Sequence, residues 1–239
     1  NKMPYSIFKN KKLLIGCDPK IFTRKTLETF FNKNGCKIKF IKSNLVDEIW
    51  KRPIKINKQK FYSLPNHSVG KDYKYKISKL VSFLKRKNAD YHFITSSENN
   101  AWLLNIRGRD AKYSPIPNCY ILIDKKRNVK FFCDLNKISL SLRKYLKKIQ
   151  IIDIQEANKI LSLINKKKFI IDRNTCSVFF EKIIRRENKI VNYQDPIYHL
   201  KAIKTKNEIK NIIKSHVYDG VALTKYLFWL KRNFHRKKR

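Results

Sequence analysis

Acidic side chains are scarce in this chain of 239 residues: 18 Asp and Glu stand against 56 Lys and Arg, a formal net charge of +38. Long apolar runs are missing as well. No stretch approaches the roughly 18 uncharged apolar residues that a membrane-spanning helix needs. No N-terminal apolar run precedes a small-residue cleavage site, so a signal peptide is not read. The five cysteines (Cys17, Cys36, Cys119, Cys133 and Cys176) are odd in number, far apart and without a Cys-x-x-Cys pair. That spacing argues against a zinc ribbon and against a disulfide framework. Buried thiols in a reducing cytoplasm are expected instead. Internal repeats and low-complexity segments are absent, as are Arg-rich base-reading helices, RNA-stacking motifs and zinc fingers.

What is present is a well-patterned globular sequence. It is 42% hydrophobic and 13% aromatic, enough for one or two domains with real cores. The positive charge has two readings. Lysine outnumbers arginine 43 to 13, and the lysines are spread along nearly every segment, as compositional drift in an A+T-rich genome would produce. A stand-alone basic module binding nucleic acid or another acidic partner is the alternative, and non-specific nucleic-acid binding at low salt follows from charge alone. The chain opens on Asn1 and not on Met, so a preceding segment is expected.

Periodicity predicts an α/β fold. Residues 12–16 read as a short strand, 23–34 as a helix with Leu27, Phe30 and Phe31 on one face and Gly35 as its stop, and 37–41 as a half-buried strand. After 44–50, a polar stretch to about residue 66 marks a domain boundary. An amphipathic helix over 73–87, with Ile77, Leu80, Val81 and Leu84 on one face, leads to a strand at 91–95. Further on, strands are read at 118–123, 129–133, 150–154, 169–172 and 189–191. Helices are read at 138–146, 155–164 and 177–186. Strands alternating with helices predict a mixed sheet covered on both faces. Asp195-Pro196 breaks the pattern, and 206–233 reads as one long apolar helix in need of a partner surface.

The most specific stretch is 95–123. Ser96 or Ser97 can N-cap a short helix, with Glu98 in its first turn. Ala101, Trp102, Leu103 and Leu104 give an apolar face. Arg107-Gly108-Arg109-Asp110 is expected to end the helix, with Gly108 taking a positive φ. Pro115 and Pro117 then hold an extended approach to the next strand.

The run Ala101-Trp102-Leu103-Leu104-Asn105-Ile106-Arg107-Gly108-x-Asp110, followed by Tyr113-Ser114-Pro115, resembles the middle domain of Xaa-Pro aminopeptidases (aminopeptidase P) in the creatinase/prolidase family. Other motifs resemble the same family in the same order. Ile15-Gly16-x-Asp18-Pro19 and Asn44-Leu45-Val46-Asp47-x-Ile49-Trp50 with Arg52-Pro53 look like the close of its first domain. Asp195-Pro196 with Leu200-Lys201-Ala202-Ile203-Lys204-x-x-x-Glu208-Ile209 looks like the linker into its catalytic domain. Ser215-His216-x-x-Asp219-Gly220-Val221-Ala222-Leu223 and Trp229-Leu230 look like that domain's first helix. The resemblance implies creatinase N-terminal-like (ribonuclease H-like) mixed sheets flanked by helices, plus the first helix of a pita-bread catalytic domain. It divides the chain into 1–52, the end of a first N-terminal domain; 53–192, a complete second one; and 193–239, linker and first catalytic-domain helix.

The function implied is that of a cytoplasmic metallo-exopeptidase releasing the N-terminal residue that precedes proline. The family uses two Mn²⁺ ions, acts on proline-containing peptides and forms a homodimer when complete. Two such cations lower the pKa of a bridging water and polarise the scissile carbonyl. The family's metal ligands, two Asp, one His and two Glu, lie beyond its matching helix, and their motifs do not occur here. This chain therefore reads as non-catalytic scaffold, inactive alone, and no catalytic, substrate-binding or metal residue is assigned. His216 and Asp219, three apart, are too few for a metal site and are expected to pack or cap. Asp18 is expected to shape a turn. Arg107 or Arg109 is expected to pair with Asp110, and Trp50, Trp102 and Trp229 to be core aromatics. No cysteine has a visible activating environment.

Overall fold

The computed structural model describes residues 13–31, 35–50, 58–65 and 67–234. The N-terminal unit is β1 (Leu14–Cys17), α1 (Arg24–Phe30), β2 (Lys37–Phe40) and the short α2 (Leu45–Ile49), with β1 and β2 parallel. Thr23 caps α1 by accepting the Thr26 N–H. The helix closes at Phe31, earlier than its periodicity predicts, and Gly35 turns the chain at φ +77°. The remainder of the predicted helix, 32–34, and Lys12 of the first strand lie outside the described residues. Cys17, Leu27, Phe31 and Cys36 pack together with Val178 of the next unit.

That unit is built from β3 (Tyr62–Ser63), α3 (Tyr73–Arg86), β4 (Tyr91–Ile94), α4 (Ser97–Leu104), β5 (Ile106–Arg107), β6 (Cys119–Asp124) and β7 (Val129–Cys133). It continues through α5 (Leu140–Tyr145), β8 (Gln150–Asp153), α6 (Ala157–Ser162), β9 (Lys168–Ile171), α7 (Val178–Glu187) and β10 (Lys189–Asn192). The six-stranded sheet runs β10-β9-β4-β6-β7-β8. Strands β10, β9 and β4 are parallel, β6 is antiparallel to both its neighbours, and β8 is parallel to β7. The mixed sheet is the predicted one.

Because side chains alternate across a strand, each strand supplies both faces. Ile121, Ile123, Phe131 and Ile170 face Leu80, Leu84, Leu103 and Leu104 of α3 and α4. Phe93, Leu122, Phe132, Phe169 and Ile171 face Leu161 and Ile184 of α6 and α7. Two predicted helices are shorter than their apolar pattern. The segment before α5 forms a single 3-10 turn at Leu135–Lys137 before Ser139 caps α5, and a similar turn at Ile154–Glu156 precedes α6. The small β3–β5 pair was not foreseen, since two residues carry no readable alternation.

The N-terminal unit docks on α7. The Val178 and Phe179 N–H groups donate to Phe22 and Pro19 carbonyls at 2.9 Å each. Glu181, buried, accepts from Arg24 at 3.4 Å and Arg185 at 2.8 Å. After β10 the chain forms α8 (Ile197–Ala202), a short helix where the sequence suggested only linker, and then α9 (Lys206–Phe234), close to its predicted extent.

Candidate functional site

The stretch around α4 is the structural hub. Ser96 is the N-cap, accepting the Asn99 N–H at 3.4 Å, and Glu98 sits in the first turn as expected. The other end differs from expectation. The left-handed residue is Asn105, at φ 54°, and not Gly108. Asparagine tolerates this region, and here its side chain fixes it. Asn105 Nδ2 donates to the Lys71 carbonyl at 2.9 Å, while its Oδ1 accepts from Lys76 Nζ. Lys76 also donates to the Trp102 carbonyl at 2.8 Å and lies 3.9 Å from the Trp102 ring centroid. It is thus a buried cation that closes a helix C-terminus, where the helix dipole favours positive charge. Burial lowers its pKa to about 8, against the opposing pull of Glu208. Its signal in the sequence was a lysine adjoining Ile77 on the apolar side of α3, which periodicity alone assigns to a solvated flank.

Gly108 is required for a different reason than predicted. A Cβ there would lie 2.8 Å from both Phe61 Cδ1 and Pro117 Cα. The glycine lets the loop pass over a buried phenylalanine. The predicted Arg–Asp brace is also replaced. Asp110 pairs with Lys137 and accepts the Asn118 N–H at 2.7 Å. Arg107 turns inward, its Nη1 donating to the carbonyls of Ile106 at 2.9 Å and Ala101 at 3.3 Å, and burial lowers its pKa. Lys137 comes from a distant turn, so no local pattern announces it. Arg109 is on the exposed side of the loop.

At the carboxyl ends of β4, β9 and β10 lies a buried polar cluster that the sequence did not reveal beyond the Asp195-Pro196 break. Asp172 accepts the Asp195 N–H at 3.0 Å. Asp195 accepts from Asn99 Nδ2 at 2.7 Å and from the Ile197 N–H at 3.0 Å. Lys201 Nζ completes the chain on Asn99 Oδ1 at 2.6 Å. His92 Nε2 stands 3.9 Å from Asp195 Oδ1, too far for a hydrogen bond. Burial lowers the His92 pKa despite Asp195 and Asp172, so the imidazole is neutral at pH 7. Every carboxylate here is committed to holding the linker that leads into α9.

Helix α9 begins with a reciprocal cap. The Glu208 N–H donates to Thr205 Oγ1 at 3.3 Å, and the Thr205 N–H donates to Glu208 Oε2 at 2.8 Å. Asn211 Nδ2 then donates to the His67 carbonyl at 3.2 Å. Beyond this point apolar residues stand exposed on all sides, from Ile213 and Val217 to Leu227, Phe228 and Phe234. His216 and Asp219 are exposed too, on a groove of about 500 Å³ that α9 forms with Trp102, Arg107 and Lys204. They do not pack or cap as expected, because α9 lines this groove without burying any side chain. For the same reason Trp229 is 58% exposed, not a core residue; Trp50, at the end of α2, is 54% exposed, and only Trp102 is partly buried. Asp18 shapes its turn as predicted, accepting the Lys20 N–H at 2.8 Å.

All five cysteines are free and buried. Burial raises the thiol pKa of Cys17, Cys119, Cys133 and Cys176, to about 12 for Cys133, so these are inert thiols. Among the described residues no three His, Cys, Asp or Glu side chains are grouped to hold a metal. No helix among them is long and apolar enough to cross a membrane.

Comparison with known proteins places this architecture. Residues 51–208 match the family described as Creatinase/Prolidase N-terminal domain. A probable Xaa-Pro aminopeptidase P of Talaromyces marneffei is 30% identical over 241 residues, covering 94% of this chain and 36% of the relative. Xaa-Pro aminopeptidase ApepP of Drosophila melanogaster is 30% identical over 235 residues, covering 92% and 37%. The crystal structure of X-prolyl aminopeptidase from Caenorhabditis elegans, a cytosolic enzyme with a di-nuclear active site, superposes with a TM-score of 0.82. That match is 23% identical and covers 97% of this chain and 40% of that one, a likeness of fold. The chain spans less than two fifths of the length of these two curated relatives.

Proposed function

This chain belongs to the creatinase/prolidase N-terminal domain family, and on that footing we propose that it is the non-catalytic scaffold of a metal-dependent Xaa-Pro aminopeptidase. One observation carries the reading. The similarity to Xaa-Pro aminopeptidases runs over 94% of the chain, too much for α9 to fall outside it. On this reading residues 1–52 close a first N-terminal domain, 53–192 form the second, and 193–239 carry the linker and the first helix of the peptidase domain. The exposed apolar residues of α9 are then the part of that domain which the rest of it covers.

On this reading the metal centre lies outside the described residues. Asp172 is engaged by the Asn174 N–H and Nδ2 and the Asp195 N–H, Asp195 by Asn99 Nδ2 and the Ile197 N–H, and His216 with Asp219 supplies only two ligands. The two metal ions, Mn²⁺ on this proposal, belong to the peptidase domain. The scaffold's part is to fix the angle at which α9 leaves the sheet, through the Asp195–Asn99–Lys201 chain and the Thr205–Glu208 cap. A cytosolic setting suits five buried free thiols.

The test is a peptidase assay on a peptide with proline at its second position, in the presence of Mn²⁺. The chain alone is expected to give no turnover. Fused in frame to the peptidase segment of the Drosophila relative, in place of that enzyme's own scaffold, it is expected to support turnover. Hydrolysis by the chain alone, or a folded but inactive fusion beside an active Drosophila enzyme, overturns the proposal.

A further inference from the structure

Between α3, Trp102 of α4 and the α8–α9 linker lies a cavity of about 230 Å³. Its walls are apolar: the Trp102 ring, Leu200 and Ile203. Its rim is cationic, with Lys71, Lys79 and Lys204 at the mouth and the buried Lys76 in the wall. The ammonium groups of Lys71 and Lys79 lie 5.2 and 5.3 Å from the centroid of the Tyr75 ring, which also lines the cavity. The single acid present, Glu208, already accepts from the Thr205 N–H and hydroxyl, each at 2.8 Å. Lys76 is held by the Trp102 carbonyl and Asn105 and Lys204 by the Lys201 carbonyl, so Lys71 and Lys79 are the lysines placed to meet a ligand.

We propose that this cavity is a binding site for a small amphipathic carboxylate, its aryl or alkyl body lying against Trp102, Leu200 and Ile203 and its anionic head at the ammonium groups of Lys71 and Lys79. The volume sets the size. At about 30 Å³ per water in the liquid, the space equals seven or eight waters, the bulk of one amino-acid-sized acid and far less than a drug-like ligand. The charge sets the sign. An anion at this mouth relieves repulsion among four cations, whereas a cation adds to it. The position gives it consequence, because Leu200 belongs to α8 and Ile203 and Thr205 to the segment that joins it to α9. A bound acid bridges α3 to that linker and stiffens the exit of the helix. The site is independent of the peptidase assignment and stands or falls on its own measurement.

The test uses the full chain carrying W50F and W229F, so that Trp102 is the remaining tryptophan and its fluorescence reports the cavity. Both replaced residues are exposed, so the fold is expected to be kept. The probes are 3-phenylpropionate and the uncharged 3-phenylpropan-1-ol. The acid is expected to give a saturable change, with the alcohol about tenfold weaker or more. K71A/K79A, which alters only exposed side chains, is expected to weaken the acid about tenfold and to leave the alcohol unchanged. No saturable response to the acid, equal affinity for acid and alcohol, or full affinity in K71A/K79A overturns the proposal. Any acid binding at the exposed apolar side of α9 is separated by the same variant, since it does not depend on Lys71 and Lys79.

Discussion

Gly108→Ala tests why the central loop needs its glycine. Gly108 does not have a positive φ, so adding a methyl group meets no backbone penalty of that kind. Taken alone, lowering the entropy of the unfolded chain would stabilise the protein by about 0.4–1 kcal/mol. The native surroundings oppose this. The new Cβ would stand 2.8 Å from Phe61 Cδ1, 2.9 Å from its Cε1 and 2.8 Å from Pro117 Cα. Phe61 is 1% exposed and packed in the main core, and the Pro117 contact is backbone, so neither neighbour can swing away. Overpacking of this kind costs about 1–3 kcal/mol, and taking off the entropic gain of about 0.4–1 kcal/mol leaves a net loss centred on about 1.3 kcal/mol. For a chain of this size that is a fall in melting temperature of about 2–8 °C. Urea unfolding followed by circular dichroism gives the free energy directly. Gly220→Ala is the matched control. Nothing lies within 4 Å of its added Cβ, and it sits within α9, so helix content should rise, by about 1 kcal/mol of propensity. A Gly108→Ala protein as stable as the parent would refute the close-approach argument and return the glycine's role to loop flexibility.

Alkaline pH and the exposed helix give two more tests. Burial raises the thiol pKa values of Cys17, Cys119, Cys133 and Cys176, while burial lowers that of Lys76 to about 8. A raised folded pKa gives stability that is complete below the unfolded value, about 8.5 for a thiol, and is lost as pH rises toward the folded value. The lysine acts oppositely, since above about pH 8 only the unfolded chain still binds its proton. Four thiols against one lysine make the protein lose stability as pH rises between about 9 and 10. Urea midpoints under reducing conditions measure it, and Cys133→Val should remove about one thiol's share; a midpoint that rises over this interval would contradict the burial of the thiols. In α9, L223E/L227E replaces two exposed leucines and should move the thermal midpoint of the sheet by only about 1 °C. A large drop in that midpoint would mean that α9 folds back onto the sheet in solution.

What could be read from the sequence follows from the range of each interaction. The sheet strands and α3 and α7 announce themselves because burial on one face repeats every two or 3.6 residues, and burial is what stabilises them, whereas α9 is legible from its apolar spacing alone and buries no residue. Ser96 was readable as a cap because its partner, the Asn99 N–H, is three residues away. The failures share the opposite property. Lys137 reaches Asp110 from 27 residues on, Asp195 reaches Asn99 from 96 residues on, and Lys76 closes α4 from the preceding helix. None of these pairs leaves a local spacing. Gly108 misled for a related reason: glycine after a helix commonly means a left-handed cap, but here Asn105 fills that role because Lys76 and Lys71 hold its side chain. The aromatics of α2 and α9 misled because hydrophobicity states that a side chain wants cover without stating which surface provides it. That asymmetry is informative in itself. The described sheet buries its apolar residues on both faces and satisfies nearly all its buried polar atoms, apart from His92 and single atoms of Asn100 and Arg173. The unmet demand for cover is concentrated in α9, past a cap and linker that are fully bonded. A helix so firmly held at one end and so apolar beyond it is placed to receive another folded surface at a fixed angle, which is the work a scaffold does.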